Sequence, residues 1–141
     1  PARTCSAGDV VVTVRAPVGT VARATSKSCL GRGVCALSAP GLNGFLLHAL
    51  TYAQHSWEAI AQGSTFTAVN SSDVRAFKIP YPPNSNEAEL VGSVLDYADD
   101  ELAALRKRLE KAKAVKQGMM QELLTGRTRL PAEPEQEAEA A

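Results

Sequence analysis

An apolar seam that no second segment of this chain can cover constrains the fold more than any other feature. From about Asn86 to Thr125, Val91, Leu95, Ala98, Leu102, Leu105, Leu109, Ala112, Met119 and Leu123 recur at alternating spacings of four and three, with Lys116 the one polar interruption. An a/d repeat sustained in this way winds a helix against a partner helix. Pro82-Pro83 forbids helix upstream, and Asn84 or Asn86 supplies a cap with Glu87 or Glu89 three residues on. Gly126 stands where a terminating C′ glycine belongs. About 40 residues at roughly 1.5 Å each make a rod on the order of 60 Å. A lone helix of that length cannot bury its own seam, so its partner is expected from elsewhere. Gly118 interrupts an otherwise strong helix at a cost of about 1 kcal/mol relative to alanine. The physical account is a close approach of a second backbone there.

Upstream of the helix, about 85 residues are left to build a core, near the lower end of what folds unaided. Val10 to Arg15 is a β-branched run that reads as a central strand. Ala16-Pro17-Val18-Gly19 breaks it, and Thr20 to Ala24 resumes, which predicts an antiparallel hairpin. After a turn at Thr25 to Ser28, Cys29-Leu30 leads through Gly31-Arg32-Gly33 into a strand at Val34 to Ser38. Asn43 can cap a helix whose Leu46, Leu50, Ala53, Trp57 and Ile60 share one face, with Gly63 as its stop. Ser64 to Val69 reads as another strand, and Asn70 to Asp73 as turn chemistry capping a short helical turn through Phe77. Lys78 to Pro83 must be extended. The expected fold class is α+β: a β-rich domain over 1–83, a coiled-coil-forming helix over 84–126, and a disordered acidic tail over 127–141.

Charge divides unevenly along a chain whose net charge is zero. Before Ser85, Arg3, Arg15, Arg23, Lys27, Arg32, Arg75 and Lys78 face only Asp9, Glu58 and Asp73, which permits a polyanionic partner. The helix opens acidic (Glu87, Glu89, Asp96, Asp99, Asp100, Glu101) and turns basic (Arg106, Lys107, Arg108, Lys111, Lys113, Lys116), the order its dipole favours. The absence of a signal peptide or long apolar run predicts a soluble cytoplasmic protein with reduced thiols and no membrane partner.

Catalytic and metal-binding patterns are missing. The chain has no HExxH, no Walker loop and no GxSxG. His48 and His55, seven apart on one predicted helix, lack further ligands at zinc spacing. Cys29 and Cys35 lie near Arg32, which can lower a thiol pKa, but cysteine in a β-rich core is more often an apolar filler. No enzyme activity, metal or cofactor is expected. Arg32 between two glycines could reach a phosphate or a guanine edge, and equally could mark a β-bulge.

Five blocks resemble, in order, the specificity subunits of type I restriction-modification systems. Gly8-Asp9-Val10-Val11-Val12-Thr13-Val14-Arg15-Ala16-Pro17-Val18-Gly19 is similar to the strand-and-turn block of their target recognition domain. Cys29-Leu30-Gly31-Arg32-Gly33-Val34-Cys35-Ala36 and Gly63-Ser64-Thr65-Phe66-Thr67-Ala68-Val69-Asn70 resemble two further blocks. Ile79-Pro80-Tyr81-Pro82-Pro83 looks like the exit into the spacer helix, and Lys116 to Arg127 like the signature closing it. Asn84-Ser85-Asn86-Glu87-Ala88 departs from the acidic-glutamine pair usual after the prolines.

The resemblance implies a non-catalytic, DNA-reading subunit. Each recognition domain reads half of a split site in double-stranded DNA. Two antiparallel spacer helices act as a ruler and dock the methylation subunits, and the complete enzyme adds a restriction subunit. The recognition domain of the family is longer, so its N-terminal portion is expected to precede this chain. By residue type and loop position, Arg15, Arg23, Lys27, Arg32, Ser64, Thr65, Thr67 and Asn70 are the candidate DNA contacts. Leu95, Leu102, Leu105, Leu109, Ala112, Gly118, Met119 and Leu123 are the candidate packing positions, against a helix from the missing half or another copy. The alternatives are a half-length specificity protein acting as a homodimer and a coiled-coil interaction protein without a DNA role.

Overall fold

The structure is a computed structural model, and it describes residues 3–57 and 69–131. The chain divides into two compact units, Pro1–Asp99 and Asp100–Ala141. It is an α+β protein. In order come β1 (Thr4–Cys5), β2 (Val10–Thr13), β3 (Val21–Arg23), β4 (Ser28–Cys29), β5 (Val34–Leu37), α1 (Asn43–Tyr52), α2 (Ser71–Ala76) and α3 (Ser85–Leu124).

The β-branched run does form the centre of a sheet. β2 lies between β3 and β5, antiparallel to both, with Val10 opposite Arg23 and Leu37, and Thr13 opposite Val34. Val10 and Val12 point to the same face, as the two-residue period requires, and both are fully buried. They join Val18, Leu50, Trp57 and Val69 in one core, with Leu46, Leu47, Phe77 and Ile79 packed around it. On the other face, Val11 shares a cleft with Cys5, Ser28 and Leu30. β1 and β4 pair with each other there as a separate two-stranded ribbon. β2 thus has apolar neighbours on both faces, which accounts for its unbroken valine run.

The hairpin from β2 to β3 is closed by Thr13. Its hydroxyl donates to Pro17 O at 2.5 Å and accepts from Thr20 N at 2.9 Å, while its carbonyl accepts from Gly19 N at 2.9 Å. The Ala16–Pro17 peptide is cis. Gly19 is required twice over. Its φ is +85°, and a Cβ there would lie 2.8 Å from Trp57 Cβ. Trp57 in turn stacks on Phe77, with ring centroids 3.8 Å apart and planes 10° from parallel.

Two expectations for the middle of the chain need correction. Asn43 does not cap α1. Its Oδ1 accepts from Ala39 N at 2.7 Å and its Nδ2 donates to Gly8 O at 2.9 Å, so it fastens two loops while Leu42 serves as the cap residue. The helix also breaks at Ala53 and resumes at 54–57 rather than running on. Ile60, Gly63 and the predicted strand over Ser64 to Ala68 lie outside the described residues. Val69 is described, and its N–H donates to Val14 O at 2.9 Å. The Asn70 turn behaves as expected and more fully: Asn70 Oδ1 accepts from Ser72 N and Asp73 N, and Asp73 answers on Asn70 N, a complete capping box for α2.

The long helix departs from its predicted limits by one residue. Asn84 Oδ1 accepts from Asn86 N at 2.9 Å at its start, and Gly126, with φ +73°, ends it by donating to Leu123 O at 3.2 Å. Its opening turns belong to the first unit and carry a stripe of small or polar residues. Ala88 and Gly92 are buried, and Gly92 lies against the backbone of Gly44 and Phe45 in α1. One turn further on, Asp96 accepts two hydrogen bonds from Arg23 Nη2 at 2.6 and 2.8 Å, and His48 Nε2 stands 3.0 Å from Asp96 Oδ1. β3, α1 and α3 therefore converge on one carboxylate.

Candidate nucleic-acid interface

Sheet register sorts the candidate DNA contacts into two groups. Thr13 opposite Val34 puts Arg15 and Arg32 at one end of the sheet, and Val10 opposite Arg23 puts Arg23 and Lys27 at the other. The stem of Arg15 crosses Gly33, where a Cβ would lie 3.8 Å from Arg15 Cβ and 3.9 Å from its Cδ. Glycine beside Arg32 thus leaves room for a second arginine to lie across it. Because Val69 pairs with Val14, Asn70 also emerges at the Arg15 end. Ser64, Thr65 and Thr67 lie outside the described residues.

Commitments within the fold separate these side chains further. Arg15, Arg32 and Lys27 are exposed and without an ion pair among the described residues. Arg23 is held by Asp96. Burial of the Asp96 carboxyl favours its neutral form, but hydrogen bonds and positive charge from Arg23 and His48 outweigh that and lower its pKa. Arg23 therefore has a structural occupation at the end of the sheet away from Arg15. Asn70 has spent its carbonyl oxygen on the α2 cap, which leaves its amide nitrogen for any ligand.

At the Arg15 end the fold also assembles a groove that linear reading did not single out. It has a volume of about 440 Å³, with Arg3 and Thr4 contributed by β1 and its approach, and Asn70, Ser71 and Arg75 by α2 and its cap. Val14, Cys35 and Val69 are among its apolar lining residues. Burial pushes the Cys35 thiol above its ordinary value, an effect only partly offset by backbone hydrogen bonds and the charge of Arg3. A thiol whose pKa is raised in this way is a poor nucleophile, which argues against nucleophilic chemistry at Cys35. Arg3 and Arg75 are 72 residues apart in sequence, and no local motif joins them.

The packing positions of α3 are open in the single chain. Leu95, Leu102, Leu105, Leu109 and Met119 are between 40% and 56% exposed, against 0% for Val10. Leu105, Leu109, Ala112, Met119 and Leu123 line one continuous apolar face of the second unit. A Cβ on Gly118 would meet nothing within 4 Å among the described residues. Contiguous exposed apolar surface of this kind marks an interaction site. Among the described residues, no helix is long and apolar enough to cross a membrane.

Comparison with known proteins agrees on one family. The sequence profile described as type I restriction modification DNA specificity domain matches residues 3–114. A protein of Methanocaldococcus jannaschii, named as a type I restriction enzyme MjaX specificity subunit, is 34% identical over 125 residues. That match covers 86% of this chain and 29% of the relative. The HsdS subunit of Thermoanaerobacter tengcongensis superposes with a TM-score of 0.59 at 28% identity, over 86% of this chain and 30% of that one. The S subunit of a type I restriction-modification system from M. genitalium shares the fold, with a TM-score of 0.70 at 24% identity over 86% of this chain and 33% of that one. The chain thus spans about a third or less of the length of these relatives. With its β-rich unit, its 40-residue helix and this agreement, the chain belongs to the type I restriction-modification DNA specificity family.

Proposed function

We propose that this chain is the latter part of a target recognition domain joined to a spacer helix, and that it reads one half of a bipartite double-stranded DNA site. Through α3 it docks the methylation subunit, and the assembled enzyme adds a restriction subunit. Its own role is recognition, and turnover belongs to the other subunits. The observation that carries this reading is the open a/d seam of α3, an apolar face that a stable protein covers with another helix. Uncommitted arginines at one end of the sheet support the DNA half of the reading. Arg15 and Arg32 are the side chains best disposed to reach base edges, with Lys27 a phosphate contact at the other end. Purifying the chain with the methylation subunit of its own system, then titrating the complex with duplex DNA, tests both halves.

Charge order along α3 favours a second reading, a half-length specificity protein that works as a homodimer. In an antiparallel pair with Leu102 opposite Leu105 of a second copy, Ala98 meets Leu109 and Leu95 meets Ala112, so large and small residues alternate. The same register sets Asp99 beside Arg106 and Glu101 beside Arg108, each twice by symmetry. A sedimentation mass of two chains without the methylation subunit would favour this reading.

A further inference from the structure

We infer that Arg3 and Arg75 form a phosphate clamp: the groove they line takes a phosphodiester of the DNA backbone, held from β1 on one side and α2 on the other. The inference rests on the DNA-reading function proposed above and adds to it the residues that position the duplex. Arg3 and Arg75 line the same groove of about 440 Å³, both are exposed, and neither has an ion pair among the described residues. Two uncommitted cations that line one groove make it favourable to an anion. The carboxylate nearest to Arg75 in sequence, Asp73, accepts from Asn70 N at 2.9 Å as part of the α2 cap and pairs with neither arginine among the described residues.

Other groups in the groove suit the same ligand. The amide nitrogen of Asn70, left over from the cap, and the hydroxyls of Thr4 and Ser71 are donors for phosphate oxygens. Val14, Val69 and Val74 offer apolar surface against which a deoxyribose can rest. Continuity with the rim decides for a polymer over a small anion. Val14 belongs to the groove, Arg15 follows it, and Arg32 flanks the glycine that Arg15 crosses. Arg15 and Arg32 thus stand at the same end of the sheet as the groove, and the cations there outnumber what a single phosphate engages and suit a chain of phosphates. Arg3 and Arg75 supply sequence-independent hold, leaving discrimination to Arg15 and Arg32.

The test uses the specificity subunit assembled with its methylation subunits, and measures binding to target and non-target duplexes over a range of salt. Arg3→Ala with Arg75→Ala is expected to weaken both duplexes by the same factor, about 10- to 100-fold, and to reduce the slope of log K against log salt by roughly 1.8. Arg3→Lys with Arg75→Lys, which keeps the charge, restores most of the slope. If the unaltered complex discriminates its target and the alanine pair leaves affinity and slope unchanged, the clamp is overturned and the DNA-reading function stands. Loss of target preference with non-target binding intact also overturns it, since that marks base contacts. If the unaltered complex binds no duplex at all, the function itself fails. Should the alanine pair not fold, the single alanine variants decide by the same measurement, each expected to lower the slope by roughly 0.9.

Discussion

Gly92 of the long helix and Gly44 of α1 lie so close that a Cβ on Gly92 would stand 3.0 Å from the carbonyl carbon of Gly44, and 2.5 Å from Phe45 N. The obstacles are backbone atoms, which cannot swing aside. A Cβ on Gly44 meets chiefly the Asp96 carboxylate, at 2.8 Å, and a side chain can give way. Gly92→Ala is therefore expected to destabilise the first unit by about 1–3 kcal/mol, as overpacking does. Gly44→Ala should cost less. Thermal melting of the two variants, side by side, checks the order, and equal losses would deny that backbone contact is the cause.

The contacts of Asp96 make a statement about pH. Its carboxyl pKa is lowered in the folded chain, so its contribution to stability is full above the ordinary carboxylate value of about 3.9. That contribution disappears as pH falls through the lowered, folded value. Asp96→Asn should melt below the unaltered chain at pH 7, with the gap closing in acid. A gap of constant size from pH 7 to pH 2 would mean that the charge on Asp96 has no part in it.

Gly19 tests the hairpin. With φ +85° and Trp57 Cβ only 2.8 Å from where its own Cβ would be, Gly19→Ala meets both strain and a clash against the core. Loss of about 2 kcal/mol or more is expected, and near-ultraviolet circular dichroism should report a disturbed Trp57. Gly8→Ala, with φ +88° and open space, carries the strain alone and should cost less.

On α3 the prediction has opposite signs for chain and complex. Gly118→Ala should stabilise the isolated chain by up to about 1 kcal/mol, because alanine favours helix and no described residue stands within 4 Å of the new Cβ. If a second backbone approaches there, the same change weakens capture of the methylation subunit. Leu105→Asn with Leu109→Asn should leave the melting of the first unit unchanged and abolish that capture.

Sequence reading succeeded where one face or one period dictates the answer. Alternate valines in β2 carry their burial pattern in their spacing, the long helix follows from its period, and Asn70 with Asp73 spells out a cap. It stopped where function depends on residues brought together by folding. Nothing near Gly92 in sequence shows that the start of α1 lies over it, and Asn43 looked like a cap because cap and loop fastener are the same residue type. Arg23 reads in sequence as any loop arginine, because its partner Asp96 lies 73 positions away. Arg3 and Arg75 share a groove only because the fold brings residues of β1, β5 and α2 around it.

The most direct test of the account is to express this chain with a tagged methylation subunit of its own system, purify on the tag, and measure the sedimentation mass. The account predicts that the chain co-purifies in fixed proportion, adding 14.9 kDa per copy, and that Leu105→Asn with Leu109→Asn releases it. A chain that is folded by circular dichroism yet passes through the column, alone or only as a pair with itself, would contradict it.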